Sequence, residues 1–173
     1  MRETEKTLSN KYVTYLKSPI GQMILIADSE AVNSIFFIFD DTEMPPENSN
    51  EVLEICKQQL NEYFAGERKE FDVNISQEGT EFQQKVWREL FKIPHGKTVS
   101  YNYIAERVGG KNMMRAVGSA NGKNQISIIV PCHRVIGSDG SLTGYAGGMW
   151  RKEWLLKHED KYSNEERQLG LFG

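Results

Sequence analysis

Three short runs rich in β-branched and aromatic residues occupy residues 12–39, each closed by a turn signal. YVTYL ends at KSPIG, QMILIA ends at DSEA, and VNSIFFIF runs into the acidic, proline-bearing loop DDTEMPPENSN. Runs this short and this closely spaced predict an antiparallel meander of about three strands, because tight turns join only antiparallel neighbours. Val52, Leu53, Cys56, Leu60, Tyr63 and Phe64 then repeat at helical spacing, with Gly66 as the helix stop. Cys56 lies on the apolar face of that helix and reads as a small core residue. EFDVNI is a candidate further strand. The first block is therefore a small sheet with one helix packed on it.

A boundary falls around Gln77–Gly79, and the pattern beyond it is helical. Thr80 with Gln83 has the form of a capping box, opening a helix whose Phe82, Val86 and Leu90 face inward and which IPHG closes. Ser100 caps a second helix, with Ile104, Ala105 and Val108 inward and Gly109-Gly110 as its stop. Asn112 is expected to cap a third, with Met113, Val117 and Ala120 inward and Asn121-Gly122 at its end. The second and third helices form a helix-turn-helix candidate, in which Arg115 and Ser119 fall off the apolar stripe and are free to meet DNA. Trp150, Trp154 and Leu155 predict a last helix ending near Glu159, followed by a polar tail. The fold class is α+β, with domains over 1–78 and 79–160 and a flexible tail over 161–173.

Hydrophobic residues make up 39% of the 173 residues and charged residues 26%, which suits a soluble globular chain. No apolar run approaches the roughly 20 residues that span a bilayer. The N-terminal MRETEKTLSN is polar, with no signal-peptide core behind it, so a cytoplasmic protein is expected. The two cysteines, Cys56 and Cys132, and three histidines, His95, His133 and His158, show no CxxC, HxxxH or HExxH spacing, so no metal site is expected. The net charge of −3 hides a basic middle: residues 85–134 carry nine Lys or Arg against two Asp or Glu. Attraction to phosphate follows the local field rather than the sum.

Within that basic stretch lies SIIVPCHRVIG, residues 127–137. Ile126 to Val130 is apolar and β-prone, so it reads as a buried strand, and Pro131 ends it. Cys132 would then sit at a rigid point, either as inert packing or as a nucleophile held still. A nucleophilic thiol needs a base or a positive charge nearby. Neighbouring side chains in extended chain point apart, so His133 could serve only through a sharp turn or a bridging water.

VPCHRV, followed by GYAGG (144–148) and KEWLLKHE (152–159), closely resembles the methylated-DNA–protein-cysteine methyltransferases, the alkylguanine repair proteins. VSYNYIAERVGG and RAVGSANGKN match the same family in order and spacing. The resemblance covers residues 80–159 strongly, and the first block in general character. It implies a small ribonuclease-H-like sheet-and-helix domain followed by a mainly helical, winged-helix-like domain that carries the active site.

The resemblance also implies roles. Cys132 is the alkyl acceptor, His133 draws off its proton through a water, and Glu159 orients and charges that histidine. Asn124 braces the active-site turn, and Tyr101 donates a proton toward the departing guanine. Arg115 enters the base stack while the damaged nucleotide rotates out, and Ser119, Lys111 and Lys123 lie on the same DNA-binding face. Val135, Tyr145, Ala146 and Gly147 wall the base pocket; Ala146 stands where other relatives have serine. Neither a cofactor nor the zinc some relatives carry is implied. Singly, Tyr101, Tyr145, Arg115 and Glu159 all have ordinary packing or surface readings; in this order around PCHRV they point together to single-turnover transfer from alkylated guanine in duplex DNA.

The non-enzymatic alternative is an alkyltransferase-like lesion binder, against which Cys132 argues directly, since those relatives replace the acceptor cysteine. A Cys-His acyl hydrolase would need an oxyanion hole and turnover, and a redox-sensing thiol would need reversible oxidation. Finally, QLGLF (168–172) resembles the peptide by which bacterial DNA-processing proteins dock on the replication sliding clamp, with Gln168, Leu169, Leu171 and Phe172 as its contacts. A monomer is expected.

Overall fold

The computed structural model describes residues 10–41 and 43–170, the last five by backbone alone. The chain divides into two compact units between Glu78 and Gly79. In the first, β1 (Tyr12–Ser18), β2 (Gly21–Ala27) and β3 (Val32–Phe37) form an antiparallel sheet in that order, β2 in the middle. Their register runs from Tyr12↔Ala27 to Ser18↔Gly21 and from Met23↔Phe37 to Ala27↔Val32. The turn between β2 and β3 is built by Asp28, whose Oδ1 accepts from the amides of Glu30 and Ala31, both at 2.8 Å.

Helix α1 (Glu51–Phe64) lies on this sheet, with Leu53, Cys56, Leu60 and Tyr63 buried at helical spacing. Asn50 caps it: Oδ1 accepts from the Leu53 amide at 3.0 Å, while Nδ2 donates to the Asp28 carbonyl at 2.9 Å. The strand expected at EFDVNI is absent, and only one bridge, Val32↔Ile75, remains of it. The Gln59 side chain explains the difference. It accepts from the Asp72 amide and donates to the Asp72 carbonyl, occupying backbone groups that a ladder would use.

The second unit opens with α2 (Glu81–Phe91). Both halves of the Thr80/Gln83 capping box are formed, at 3.0 and 3.1 Å. Val86, Trp87 and Leu90 are buried, and Trp87 Nε1 donates to the Ala120 carbonyl at 2.8 Å. Ser100 caps α3 (Tyr101–Val108) by accepting from the Tyr103 amide. After Gly109-Gly110 the chain makes a single 3-10 turn, Lys111–Met113, before α4 (Met114–Gly122). Asn112 is therefore no cap: it sits inside that turn, and α4 begins without a side-chain cap. Helices α2, α3 and α4 pack on one another, with α3 and α4 as the helix-turn-helix pair.

Ile126–Val130 forms no strand, contrary to its composition; Ile126 makes an isolated bridge, the residues after it run through successive turns, and Ile128 has φ 73°. A two-residue parallel pairing joins β4 (Val99–Ser100) to β5 (Val135–Ile136) instead. Helix α5 (Met149–Gly170) continues well past Glu159, where a polar tail was expected to begin. None of the described helices is long and apolar enough to cross a membrane. Of the clamp-docking residues, the side chains of Gln168 and Leu169, and Leu171 and Phe172 altogether, lie outside the described residues.

Candidate active site

Asn124 organises the turn that carries Cys132. Its Nδ2 donates to the Val130 carbonyl at 2.8 Å and more weakly to that of Ile126 at 3.4 Å, and its Oδ1 accepts from the Ile126 amide at 3.1 Å. The side chain thus supplies the hydrogen bonds a strand partner would have supplied, and Ile126, Ile128, Ile129 and Val130 are buried around it. The positive φ of Ile128, a strained conformation for a β-branched residue, is held by this packing. The Cys132 amide donates to the Val130 carbonyl at 2.8 Å, and Cys132–Arg134 make one 3-10 turn. That turn supplies the sharp bend needed for Cys132 and its neighbour to act at one place.

Cys132 is 6% exposed and His133 wholly buried. Burial pushes the Cys132 thiol up, against a hydrogen bond from Asn124 and the charge of Lys152, so the resting form is the thiol. His133 Nε2 lies 2.7 Å from Glu159 Oε1. Against a carboxylate this nitrogen carries the hydrogen, which leaves Nδ1 as an acceptor, and Nδ1 is buried without a hydrogen-bond partner. Burial holds His133 below its ordinary value of 6.5, although Glu159 pulls it back up.

Glu159 is the hub of the site. Arg134 grips both its oxygens, through Nε and Nη2, each at 2.9 Å, and donates through Nη1 to the Ile93 carbonyl at 2.6 Å. The Gly96 amide donates to Glu159 Oε2 at 3.2 Å. Burial alone would raise the carboxyl, but His133 and Arg134 hold it well below the usual range, so it is a carboxylate.

The segment 143–148 is tied in place by side chains of α3 and α5. Tyr101 donates through its hydroxyl to the Thr143 carbonyl at 3.2 Å. Lys152, fully buried, donates from Nζ to the carbonyls of Val135 at 2.6 Å and Thr143 at 2.8 Å. Arg151 Nη1 donates to the Gly147 carbonyl at 2.6 Å. Val135 and Gly147 are buried and Ala146 is exposed. The Tyr145 hydroxyl is enclosed, with Ser127 a polar neighbour that does not complete a well-formed hydrogen bond to it, and burial raises its pKa well above 10.0. Asn121 Nδ2 makes a long contact, 3.4 Å, with the Cys132 carbonyl.

Of the residues named from the sequence, Asn124, Cys132, His133 and Glu159 meet at one turn; Val135 follows that turn and shares Lys152 with Thr143, to which Tyr101 donates, while Tyr145, Ala146 and Gly147 lie on the segment 143–148. Arg115, Ser119, Lys111 and Lys123 are all exposed on α4 and its two ends. Sequence reading missed Arg134, Gly96, Arg151 and Lys152. Arg134 lies inside PCHRV and Lys152 heads KEWLLKHE, so their places in the motifs were the available signal; Arg151 and Gly96 offered none. Among the described residues no three His, Cys, Asp or Glu side chains stand together as metal ligands.

Comparison with known proteins adds independent findings. Residues 81–161 match the family described as 6-O-methylguanine DNA methyltransferase, DNA binding domain, and residues 11–77 match its ribonuclease-like domain. A methylated-DNA–protein-cysteine methyltransferase of Methanosarcina acetivorans is 46% identical over 152 residues, covering 86% of this chain and 97% of its own. The constitutive enzyme of Bacillus subtilis is 40% identical over 163 residues, covering 90% and 99%. The crystal structure of Mycobacterium tuberculosis O6-methylguanine methyltransferase superimposes with a TM-score of 0.80 at 43% identity, covering 88% of this chain and 94% of that one. The mycobacterial protein solved in complex with DNA gives the same TM-score and identity, over 87% and 94%.

Proposed function

The chain belongs to the O6-methylguanine DNA methyltransferase family, and on that premise we propose that Cys132 is the cysteine that takes the alkyl group. The protein binds DNA and repairs O6-methylguanine by methyl transfer to a protein cysteine. The observation that carries the assignment to Cys132 is its place beside a buried histidine whose Nε2 is tied to a carboxylate and whose Nδ1 is open to accept a proton.

In the proposed reaction His133 Nδ1 receives the Cys132 thiol proton through a water, and Glu159, held in place by Arg134, balances the positive charge that results. The thiolate attacks the alkyl carbon, the S–C bond forms as the C–O6 bond breaks, and the electron pair passes to guanine. Tyr101 donates toward the departing base and so offsets the negative charge growing on it. The alkyl carbon is inaccessible in duplex DNA, so the nucleotide is flipped out at a cost of a few kcal/mol, with Arg115 entering the stack. Ser119, Lys111 and Lys123 hold the backbone, while Val135, Tyr145, Ala146 and Gly147 wall the base. The product is a thioether, which neither water nor imidazole cleaves, so each molecule reacts once.

Duplex DNA with one O6-methylguanine, mixed with the protein and read as intact mass, tests this. The expected result is a gain of one methylene unit on Cys132, lost in Cys132→Ser; tight lesion binding without mass gain would instead identify a damage-recognition module. We further propose a cytoplasmic monomer. Docking of Gln168, Leu169, Leu171 and Phe172 on a sliding clamp is tested by pull-down after deleting Gln168–Gly173, which should abolish capture.

A further inference from the structure

Two basic residues adjacent in sequence, Arg151 and Lys152, hold opposite ends of the segment 143–148. Lys152 fixes its beginning, through the carbonyls of Thr143 and, at 3.5 Å, Gly144. Arg151 fixes its end, through the Gly147 carbonyl at 2.6 Å. Between these points the segment has little stiffness of its own. Three of its six residues are glycines, two of them at positive φ, Gly144 at 49° and Gly148 at 95°. One internal hydrogen bond, Gly148 amide to Tyr145 carbonyl at 2.9 Å, closes the turn.

Trp150 completes the grip on Gly147. It is 54% exposed, an unusual place for an indole at the start of a helix, yet the Arg151 guanidinium carbon stands 4.5 Å from its ring centroid. Its ring also lies against Gly148, 3.5 Å from where a Cβ would be on that residue. Arg151 is 9% exposed, with its guanidinium over the indole and its Nη1 on the Gly147 carbonyl.

Resting on the reading of Tyr145, Ala146 and Gly147 as the pocket wall, we propose that Arg151, stacked on Trp150, is a positioning residue that sets how large an alkyl group the pocket admits. A glycine-rich wall held at both ends keeps one width. Released at Gly147, it swings about Gly144 and Gly148 and accommodates longer chains. Arg151 touches no reacting atom, so its loss alters which alkyl group reacts faster.

Single-turnover transfer from duplex DNA carrying O6-methylguanine or O6-butylguanine, read by intact mass, gives a butyl-to-methyl rate ratio. Arg151→Met should raise that ratio about five-fold or more. Arg151→Lys, a point charge without the planar fork, should raise it less, and Trp150→Leu should move it in the same direction. Thermal melting reports folding, and if Arg151→Met does not fold, the half-exposed Trp150→Leu decides alone. A ratio unchanged in the folded variants, or both rates falling in proportion, overturns the proposal. Ala146→Val, within the wall itself, separates the two layers. If it shifts the ratio and Arg151→Met does not, the clamp fails while the wall stands; if neither shifts it, the wall assignment fails as well.

Discussion

At the scale of single residues, Glu159 and His133 make the site sensitive to acid in a direction that can be derived. Burial lowers His133 below 6.5, and the His133 and Arg134 partners hold Glu159 below 4.5 despite its burial. Each group therefore takes up protons more readily in the unfolded chain. Where the unfolded state binds more protons, stability rises with pH. This contribution is complete above about pH 6.5 and is lost on acidification, first through His133 and then, below about pH 4.5, through Glu159. Urea denaturation midpoints measured between pH 7 and pH 3.5 should fall in that order, and Glu159→Gln should flatten the lower part of the curve. The same depression keeps His133 in its proton-accepting form at mildly acid pH. Transfer should persist below pH 6.5 in the wild type, while Glu159→Gln, which leaves the imidazolium without its counter-ion, should slow it about 10²-fold.

At the scale of elements, the loop after α2 matters more than its short sequence suggests. Ile93 accepts from Arg134 and Gly96 donates to Glu159, so IPHG holds the two charged ends of the site from outside. Gly96 has φ +75°, and a Cβ there would stand 2.0 Å from Ser163 Oγ on α5. Gly96→Ala should therefore destabilise the protein by about 1–3 kcal/mol in denaturant titrations and slow alkyl transfer. Combining it with Ser163→Gly should recover only the part due to the clash, because the backbone strain remains. Of the element-level expectations, the two formed helix caps, Thr80 with Gln83 and Ser100, were legible because a cap depends on residues three apart. Asn112 had the right type for a cap, but the preceding glycine pair delivers the chain in a 3-10 turn, and its position is no longer terminal.

At the scale of the whole molecule, a net charge of −3 coexists with binding to a polyanion because the basic residues are gathered in 85–134. Some of that excess is internally neutralised: Lys92 and Arg107 both pair with Glu89, and Lys111 stands 3.7 Å from Glu106. Lys123 is exposed with no carboxylate partner among the described residues. Affinity for undamaged duplex should fall linearly with salt on logarithmic axes, with a slope of about −0.9 for each phosphate neutralised. Lys123→Gln should reduce that slope by about one contact. Lys111→Gln should change it less, since Glu106 already competes for the ammonium. Equal slopes in wild type and Lys123→Gln would remove Lys123 from the DNA face.

The sequence by itself determined the meander, the succession of helices, the helix-turn-helix pair and the reactive motif, because turns, caps and amphipathic stripes act over a few residues. Only the tertiary structure decided the path of Ile126–Val130. Four apolar residues must be buried, but a turn buries them as well as a strand does once the Asn124 amide meets their backbone groups. The same holds for Arg134, Arg151 and Lys152. Arg151 and Lys152 hold main-chain carbonyls, and Arg134 joins one to a carboxylate 25 residues away. Every residue has a carbonyl, so which one a cation meets leaves no mark in the sequence and is settled only when the chain folds.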